Sequence, residues 1–451
     1  MGKYQGYEKY KASGVEWLGE IPEHWKRSVF RYYFDIQLGK MLQNEPQSEN
    51  DEEISYLKAI HVRWDKVDTD NLPKMWASPR DKKKYQVKNG DLLISEGGEV
   101  GRTALLKELQ EDSIIQNALH RVRPLSQSSV EYLNYLMRHI ADTGWFDILC
   151  NKSTIAHLTS EKLGALALPL PPLDEQEKIA RFLDHKTKQI DELIAKKESL
   201  IEKLDEKRTA LISHAVTKGL EPNVPMKDSG IEWLGEIPEH WEVKRVKFLI
   251  QNLQQGSSPL ASNIPAQPDE LGVLKLSAIS RGNFIRHENK ALKQTDNLIN
   301  SLSLKHGDVL LTRGNTPKLV GDACVVPQDE PNLLISDLIY RIRVKAPVIL
   351  PSFLGKFLIT PQARSEIEAD ARGSSGSMVK VSQRHILDWL ITVPPKSEQQ
   401  KIIDYLNQKT SEIDQPKAKI QKAIELLKEY RTALITNAVT GKIDVRQVPI
   451  P

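Results

Sequence analysis

Two stretches of the chain place residues on a rhythm of alternating three and four. Ile190, Leu193, Lys197, Leu200, Leu204, Lys207 and Leu211 follow it, and Ile413, Pro416, Ile420, Ala423, Leu427, Tyr430 and Leu434 match them position for position. That period belongs to helices that pair along a seam. Each stretch opens after a Pro-Pro pair with a capping-box pattern, Asp174 with Glu177 and Ser397 with Gln400, so long helices are expected over 174–216 and 397–439. About 40 residues at 1.5 Å each make a rod of about 60 Å, and the two rods are expected to run antiparallel. Pro416 removes a backbone donor and crowds the preceding turn, which predicts a kink or restart near Asp414.

The pattern elsewhere is that of short strands between Gly, Asn and Asp turns. Strands are predicted at Ile54–Ala59, Leu92–Ser95 and Ala118–Val122 with counterparts later in the chain, and helices at Val130–Asp142 and Ser352–Ala371. The counterparts exist because the chain is one unit written twice. SGVEWLGEIPEHW (13–25) recurs as SGIEWLGEIPEHW (229–241), NGDLLISEGG (89–98) answers HGDVLLTRGN (306–315), and HRVR (120–123) answers YRIR (340–343). LPPLDEQEKIARFLDHKTKQID (170–191) answers VPPKSEQQKIIDYLNQKTSEID (393–414), and RTALISHAVT (208–217) answers RTALITNAVT (431–440). The offset drifts only from 216 to 223, so the order is globular, helical, globular, helical. Entry and helical segments are nearly copied, while the residues between them share little beyond apolar positions and Gly-Asp turns.

Composition narrows the function classes. Of 451 residues, 39% are hydrophobic and 27% charged, which fits folded globular parts and not a disordered chain. No run approaches the roughly 18 apolar residues of a membrane span, and the opening MGKYQGYEKYKASG has no apolar leader core, so a cytoplasmic protein is expected, with no membrane partner. Cys150 and Cys324 stand 174 residues apart and read as two small buried hydrophobes. Net charge is +3, made up of −1 for 1–173, −1 for 174–228, +3 for 229–396 and +2 for 397–451. Any nucleic-acid binding must then use local patches, with much of the phosphate neutralised by partners.

Catalytic motifs are not found. GNTPKLVG (314–321) lacks the spacing and hydroxyl of a phosphate loop, EGGEVGR (96–102) matches no dinucleotide fingerprint, and no HxH or HExxH pair suggests a metal. Pro268-Asp269 is not followed by a nuclease-like acidic-x-Lys at 273–275. His24 and His240, beside Trp25 and Trp241, belong to the copied segment and are assigned to packing.

The duplicated EWLGEIPEHW box, the GDxLx turns, and PPLDEQEKI and PPKSEQQKI each opening a rod resemble the DNA-specificity subunit of a type I restriction-modification system, over essentially the whole chain. The resemblance implies an α+β protein: two mixed α/β target recognition domains joined by two long antiparallel coiled-coil helices, an internal pseudo-twofold tandem repeat. The divisions expected are 1–173 for the first recognition domain, 174–228 for the first helical spacer and linker, 229–396 for the second domain, and 397–451 for the second spacer and tail. It implies double-stranded DNA as ligand, read as a bipartite asymmetric target, with two methyltransferase subunits and restriction (translocase) subunits as partners. Those partners would use S-adenosylmethionine, ATP and magnesium to methylate adenine at N6, translocate and cut, and this chain would hold no cofactor, metal or catalytic residue.

Base-reading residues are then sought among side chains that can pair with base edges where the halves differ. In the first half these are Arg63, Trp64, Lys66, Arg102, Gln116, Asn117, Lys152 and Thr154; in the second, Arg281, Asn283, Arg313, Asn315, Lys318, Ser336, Arg372, Ser374, Ser375 and Lys380. Leu193, Leu200, Leu204, Leu211, Ile420, Leu427 and Leu434 are assigned to the helices that dock partners. Two rival readings are a stand-alone enzyme, for which no residues are found, and a protein scaffold without base readout, which leaves unexplained why the framework is copied while the surfaces between diverge.

Overall fold

The computed structural model describes residues 4–125, 127–150, 157–293, 303–375 and 378–449. The chain divides into two compact units, Met1–Lys197 with Lys422–Pro451, and Glu198–Gln421.

Each unit is built on the same antiparallel four-stranded sheet. In the first the strand order is Thr103–Leu105, Leu92–Ser95, Leu119–Pro124, Phe34–Leu38; in the second it is Ala323–Val325, Val309–Thr312, Ile339–Val344, Ile250–Gln255. A second, mixed sheet flanks it, with Ser113–Ile115 parallel to Glu52–Leu57 in the first unit, and Gly272–Leu274 parallel to Glu330–Leu334 in the second. The copied Gly-Asp turns and Arg-x-Arg strands belong together. Asp91, 1% exposed, accepts two bonds from Arg123 at 2.5 and 2.7 Å, and Asp308, 2% exposed, accepts from Arg343 at 2.8 and 3.3 Å. Gly90 and Gly307 turn at φ of +92° and +82°, a conformation that side chains resist, and so present each aspartate to its arginine.

The helix predicted over Ser352–Ala371 is two helices, Pro351–Leu358 and Pro361–Asp370. Pro361 cannot donate within the first, and it opens the second behind the cap Thr360, whose hydroxyl accepts from Ala363 at 3.3 Å. Val130–Asp142 forms as predicted.

The long helices are Leu173–Lys218 and Lys396–Val439, and three expectations about them change. Pro172 and Pro395 supply the first helical carbonyls, accepting from Gln176 and Gln399, so Asp174 and Ser397 lie inside the first turn and are not the caps of a capping box. The helix runs through Pro416 without a restart. The seam is also shifted at alternate positions. The inward row, buried or half-buried, is Ile190, Ile194, Lys197, Ile201, Leu204, Arg208 and Leu211, answered by Ile413, Lys417, Ile420, Ile424, Leu427, Arg431 and Leu434. Leu193 and Leu200 are 43% and 45% exposed, and Pro416 is exposed. Spacing alone cannot choose between Leu193 and Ile194, or Leu200 and Ile201. Ion pairs across the helices choose: in the second unit Arg208 bonds Asp414 at 3.1 Å and Lys417 bonds Asp205 at 2.6 Å, and in the first Arg431 bonds Asp191 at 3.0 Å. These pairs run antiparallel in each unit, and Arg208–Asp414 and Arg431–Asp191 are one bond made by both copies.

The copied EHW box meets the copied PPxxEQ opening at a node in each unit. Glu175, 4% exposed, accepts from the Trp25 indole at 2.9 Å and from the Tyr7 hydroxyl, with His24 Nε2 at 2.9 Å. Glu398 takes Trp241 at 3.1 Å and His240 at 2.8 Å. The neighbouring glutamine ties in the next helix: Gln176 accepts from Ser129 N at 2.9 Å, and Gln399 from Leu350 N at 2.8 Å. Ser129 and Leu350 are the N-caps of Val130–Asp142 and Pro351–Leu358. Both tryptophans are fully buried, and each histidine takes part in the joint between the copied box and its long helix.

Candidate nucleic-acid interface

One end of each four-stranded sheet carries three neighbouring features: a short hairpin, a loop after the second strand, and a tight turn. The hairpin pairs Val62–Arg63 with Lys66–Val67 in the first unit and Ile279–Ser280 with Asn283–Phe284 in the second, each after one 3-10 turn, Ala59–His61 or Leu276–Ala278. Asp65 at the first tip has φ +66°, while Arg281 and Gly282 at the second have +45° and +87°, and two successive left-handed residues suit a two-residue turn between twisted strands.

The loop is pinned identically in both copies. Glu96 N donates to Ala118 O at 2.9 Å and Leu158 N to Glu96 O at 2.8 Å; Arg313 N donates to Leu338 O at 2.7 Å and Val381 N to Arg313 O at 2.9 Å. At the exit, Ser95 N reaches Arg102 O at 2.8 Å, and Thr312 N reaches Asp322 O at 2.9 Å. The turn, Gln116–Asn117 or Ser336–Asp337, lies against Gly39 or Gly256, where a β-carbon would stand 2.3 Å from Gln116 O or 2.1 Å from Ile335 O. Only glycine permits that approach.

On this common backbone the side chains diverge. In the first unit the Trp64 indole donates to Glu99, the Arg138 guanidinium stands 4.6 Å from the Trp64 ring, and Arg102 bonds both Glu99 at 3.0 Å and Ala59 O at 2.7 Å. Arg63 and Lys66 are exposed opposite each other on the hairpin, and Gln116 and Asn117 are half-buried. Glu96 lies 3.7 Å from the half-exposed His157. In the second unit Asp322, whose carboxyl burial pushes above the usual range, accepts from Arg281 N at 2.8 Å. Arg281, Asn283 and Lys318 are exposed, and Ser336 is half-buried on its turn. Arg313 donates to Asp337 O at 3.3 Å. A small sheet joins Gly314–Asn315, Met378–Lys380 and Arg372–Ser375, which brings Asn315, exposed Lys380 and the backbone of Arg372, Ser374 and Ser375 to one place.

The candidates of each half thus converge on one end of one sheet, except Lys152 and Thr154, which lie outside the described residues. Glu96, Glu99 and Asp65, which bond or face these candidates, are not among the residues chosen from the sequence. The repeat offset sets Glu96 against Arg313 and Asp65 against Gly282, and so marks positions where the copies differ. Among the described residues no group of His, Cys, Asp and Glu could hold a metal ion, and no helix is long and apolar enough to cross a membrane.

The family model for the type I restriction modification DNA specificity domain matches residues 34–203 and 238–426, once per half. The chain belongs to that family. Specificity subunits among its relatives include that of the EcoEI enzyme of Escherichia coli, 28% identical over 50% of this chain and 38% of the relative, and that of EcoKI from Escherichia coli strain K12, 24% identical over 64% and 61%. The chain thus spans less than two thirds of these two relatives. The MjaVIII specificity subunit of Methanocaldococcus jannaschii is 24% identical over 95% of both chains. A solved chain from work on complex assembly and conformational transition of the type I R-M system superposes with a TM-score of 0.67 at 15% identity, covering 93% of this chain and 98% of its own. The specificity-subunit fold, α+β with a tandem repeat, is therefore the fold of this chain.

Proposed function

We propose that this chain is the non-catalytic reader of a type I restriction-modification complex: each unit reads one half of a bipartite, asymmetric duplex target, and the long helices space the readers and dock two methyltransferase subunits, to which restriction subunits join. The observation that supports this reading is the pair of identically bonded scaffolds carrying unlike side chains. A scaffold joining two copies of one partner would have no cause to diverge there while the Glu175 and Glu398 nodes stay copied. Adenine methylation, S-adenosylmethionine and ATP-driven cleavage with magnesium belong, on this reading, to the partners in the cytoplasm.

Methylome sequencing of cells carrying the complete system tests it. Exchanging residues 30–165 for another recognition domain should change one half-site only. Inserting four residues near Lys197 and four near Ile420, about 6 Å of helix, should lengthen the gap by one or two base pairs at about 3.4 Å each. A continuous motif, or an insertion that rewrites bases instead of the gap, refutes the division into readers and spacer.

A further inference from the structure

The two hairpins differ in how they are held. In the first unit the tip residue Asp65 accepts a bond from Arg431 Nη2 at 2.9 Å, while the Nε of the same guanidinium bonds Asp191 on the other long helix at 3.0 Å. The Arg431 side chain is only 16% exposed, so one arginine clamps the hairpin and both helices in a partly desolvated place, where an ion pair is screened less than at an open surface. In the second unit the equivalent arginine, Arg208, keeps its bond to Asp414, but the tip residue is Gly282, with no carboxylate to offer. A cleft of about 490 Å³ lies there, lined by Arg208, Asp414 and Lys417 on the helix side and by Ser280, Arg281 and Asn283 on the hairpin side. No ion pair crosses it from the hairpin among the described residues.

We propose that Asp65 is a positioning residue: through Arg431 it fixes the first recognition hairpin to the helix pair, whereas the second hairpin is held to its own sheet, with Arg281 N on Asp322 at 2.8 Å and Gly282 N on Ala323 O at 3.0 Å, and not to the helices. This rests on the reading of the chain as a bipartite DNA reader. It assigns Arg63, Trp64 and Lys66 to a reading edge set by the helix pair, since Trp64 is also held by Glu99 and Arg138, and the Arg281 edge to one set by its sheet alone.

Asparagine tolerates the left-handed backbone that Asp65 adopts, so Asp65→Asn removes the charge and keeps the turn. The full chain, assembled with its methyltransferase subunits, is first used to select targets from a random duplex pool. Binding is then measured on the selected duplex and on versions with the gap one base pair shorter or longer. Asp65→Asn is expected to weaken the selected target about five-fold, the scale of one ion pair in part shielded from solvent. It should also shrink the preference for the selected gap and soften the penalty for base changes in the first half-site alone. Asp65→Glu should recover most of the lost affinity, and the thermal midpoint should stay within about 2 °C of the parent. Unchanged affinity and gap preference in Asp65→Asn, or equal softening of both half-sites, overturns the tether and leaves the DNA reading standing. Failure of the parent assembly to select any two-part sequence overturns the DNA reading itself, and the proposal with it.

Discussion

Glu175 and Glu398 occupy equivalent places, yet their loss should not cost the same. Replacing Glu175 by alanine leaves the fully buried Trp25 N–H and the buried Tyr7 hydroxyl without an acceptor, and releases His24. Each buried donor left unpaired costs about 1–3 kcal/mol, and the more exposed histidine adds a few tenths, so the first unit should lose about 4 kcal/mol. Glu398 has no tyrosine partner, its side chain is 25% exposed, and it serves Trp241 and His240. One buried donor is orphaned, and the second unit should lose about 2 kcal/mol. For units of this size 1 kcal/mol moves the midpoint by about 2–4 °C, which gives falls of about 12 °C and about 6 °C. Calorimetry of Glu175→Ala and Glu398→Ala reads the midpoints, and hydrogen exchange of peptides around 20–30 and 236–246 assigns each to its unit. Glu175→Gln should be intermediate, because an amide oxygen still accepts but without the charge. Equal losses, or a larger loss for Glu398→Ala, would show that the joint is held by packing of the tryptophans and not by the carboxylate.

Pro416 sits on the exposed face of a continuous helix, so Pro416→Ala should raise the stability of the second unit by about 1–3 kcal/mol as the missing donor is restored; a fall in thermal midpoint would place it back in the seam. The two units should also respond oppositely to acid. Burial holds the fully buried His120 below the usual histidine range, so its contribution is complete above about pH 6.5 and is lost as pH falls towards the lowered value in the folded state. Burial, and then the charge of Asp370, push Glu366 up to about 7, so its ionised form is penalised and the second unit gains stability as pH falls from above 7 towards 4.5. Unfolding followed by hydrogen exchange at pH 7.5 and 5.5 should show the first unit weakening while the second strengthens, with His120→Gln and Glu366→Gln each flattening its own trend. Parallel trends that neither variant alters would refute the assignment.

The repeat, the two long helices and the strand at Leu92–Ser95 were legible from the chain alone, because periodicity and near-identity are properties of order along the sequence. So was the family, since PPxxEQ and EWLGEIPEHW are local strings. What those strings do was not legible. That Glu175 serves Trp25, or that Asp91 serves Arg123, depends on residues 150 and 32 positions apart being brought together by sheets. The seam shows the limit most clearly: Leu193 and Ile194 are equally apolar neighbours, and only the partner helix, through Arg431 and Asp191, decides which faces inward. Pro416 changed meaning with that decision, from a seam breaker to an exposed residue. The candidate interface divides the same way. The offset between the halves names the positions where the copies diverge, but whether a side chain there is without a bond among the described residues, like that of Arg281, or already bonded, like those of Arg102 and Trp64, is settled by neighbours distant in sequence, because a charged group's remaining capacity depends on what else lies within hydrogen-bond reach.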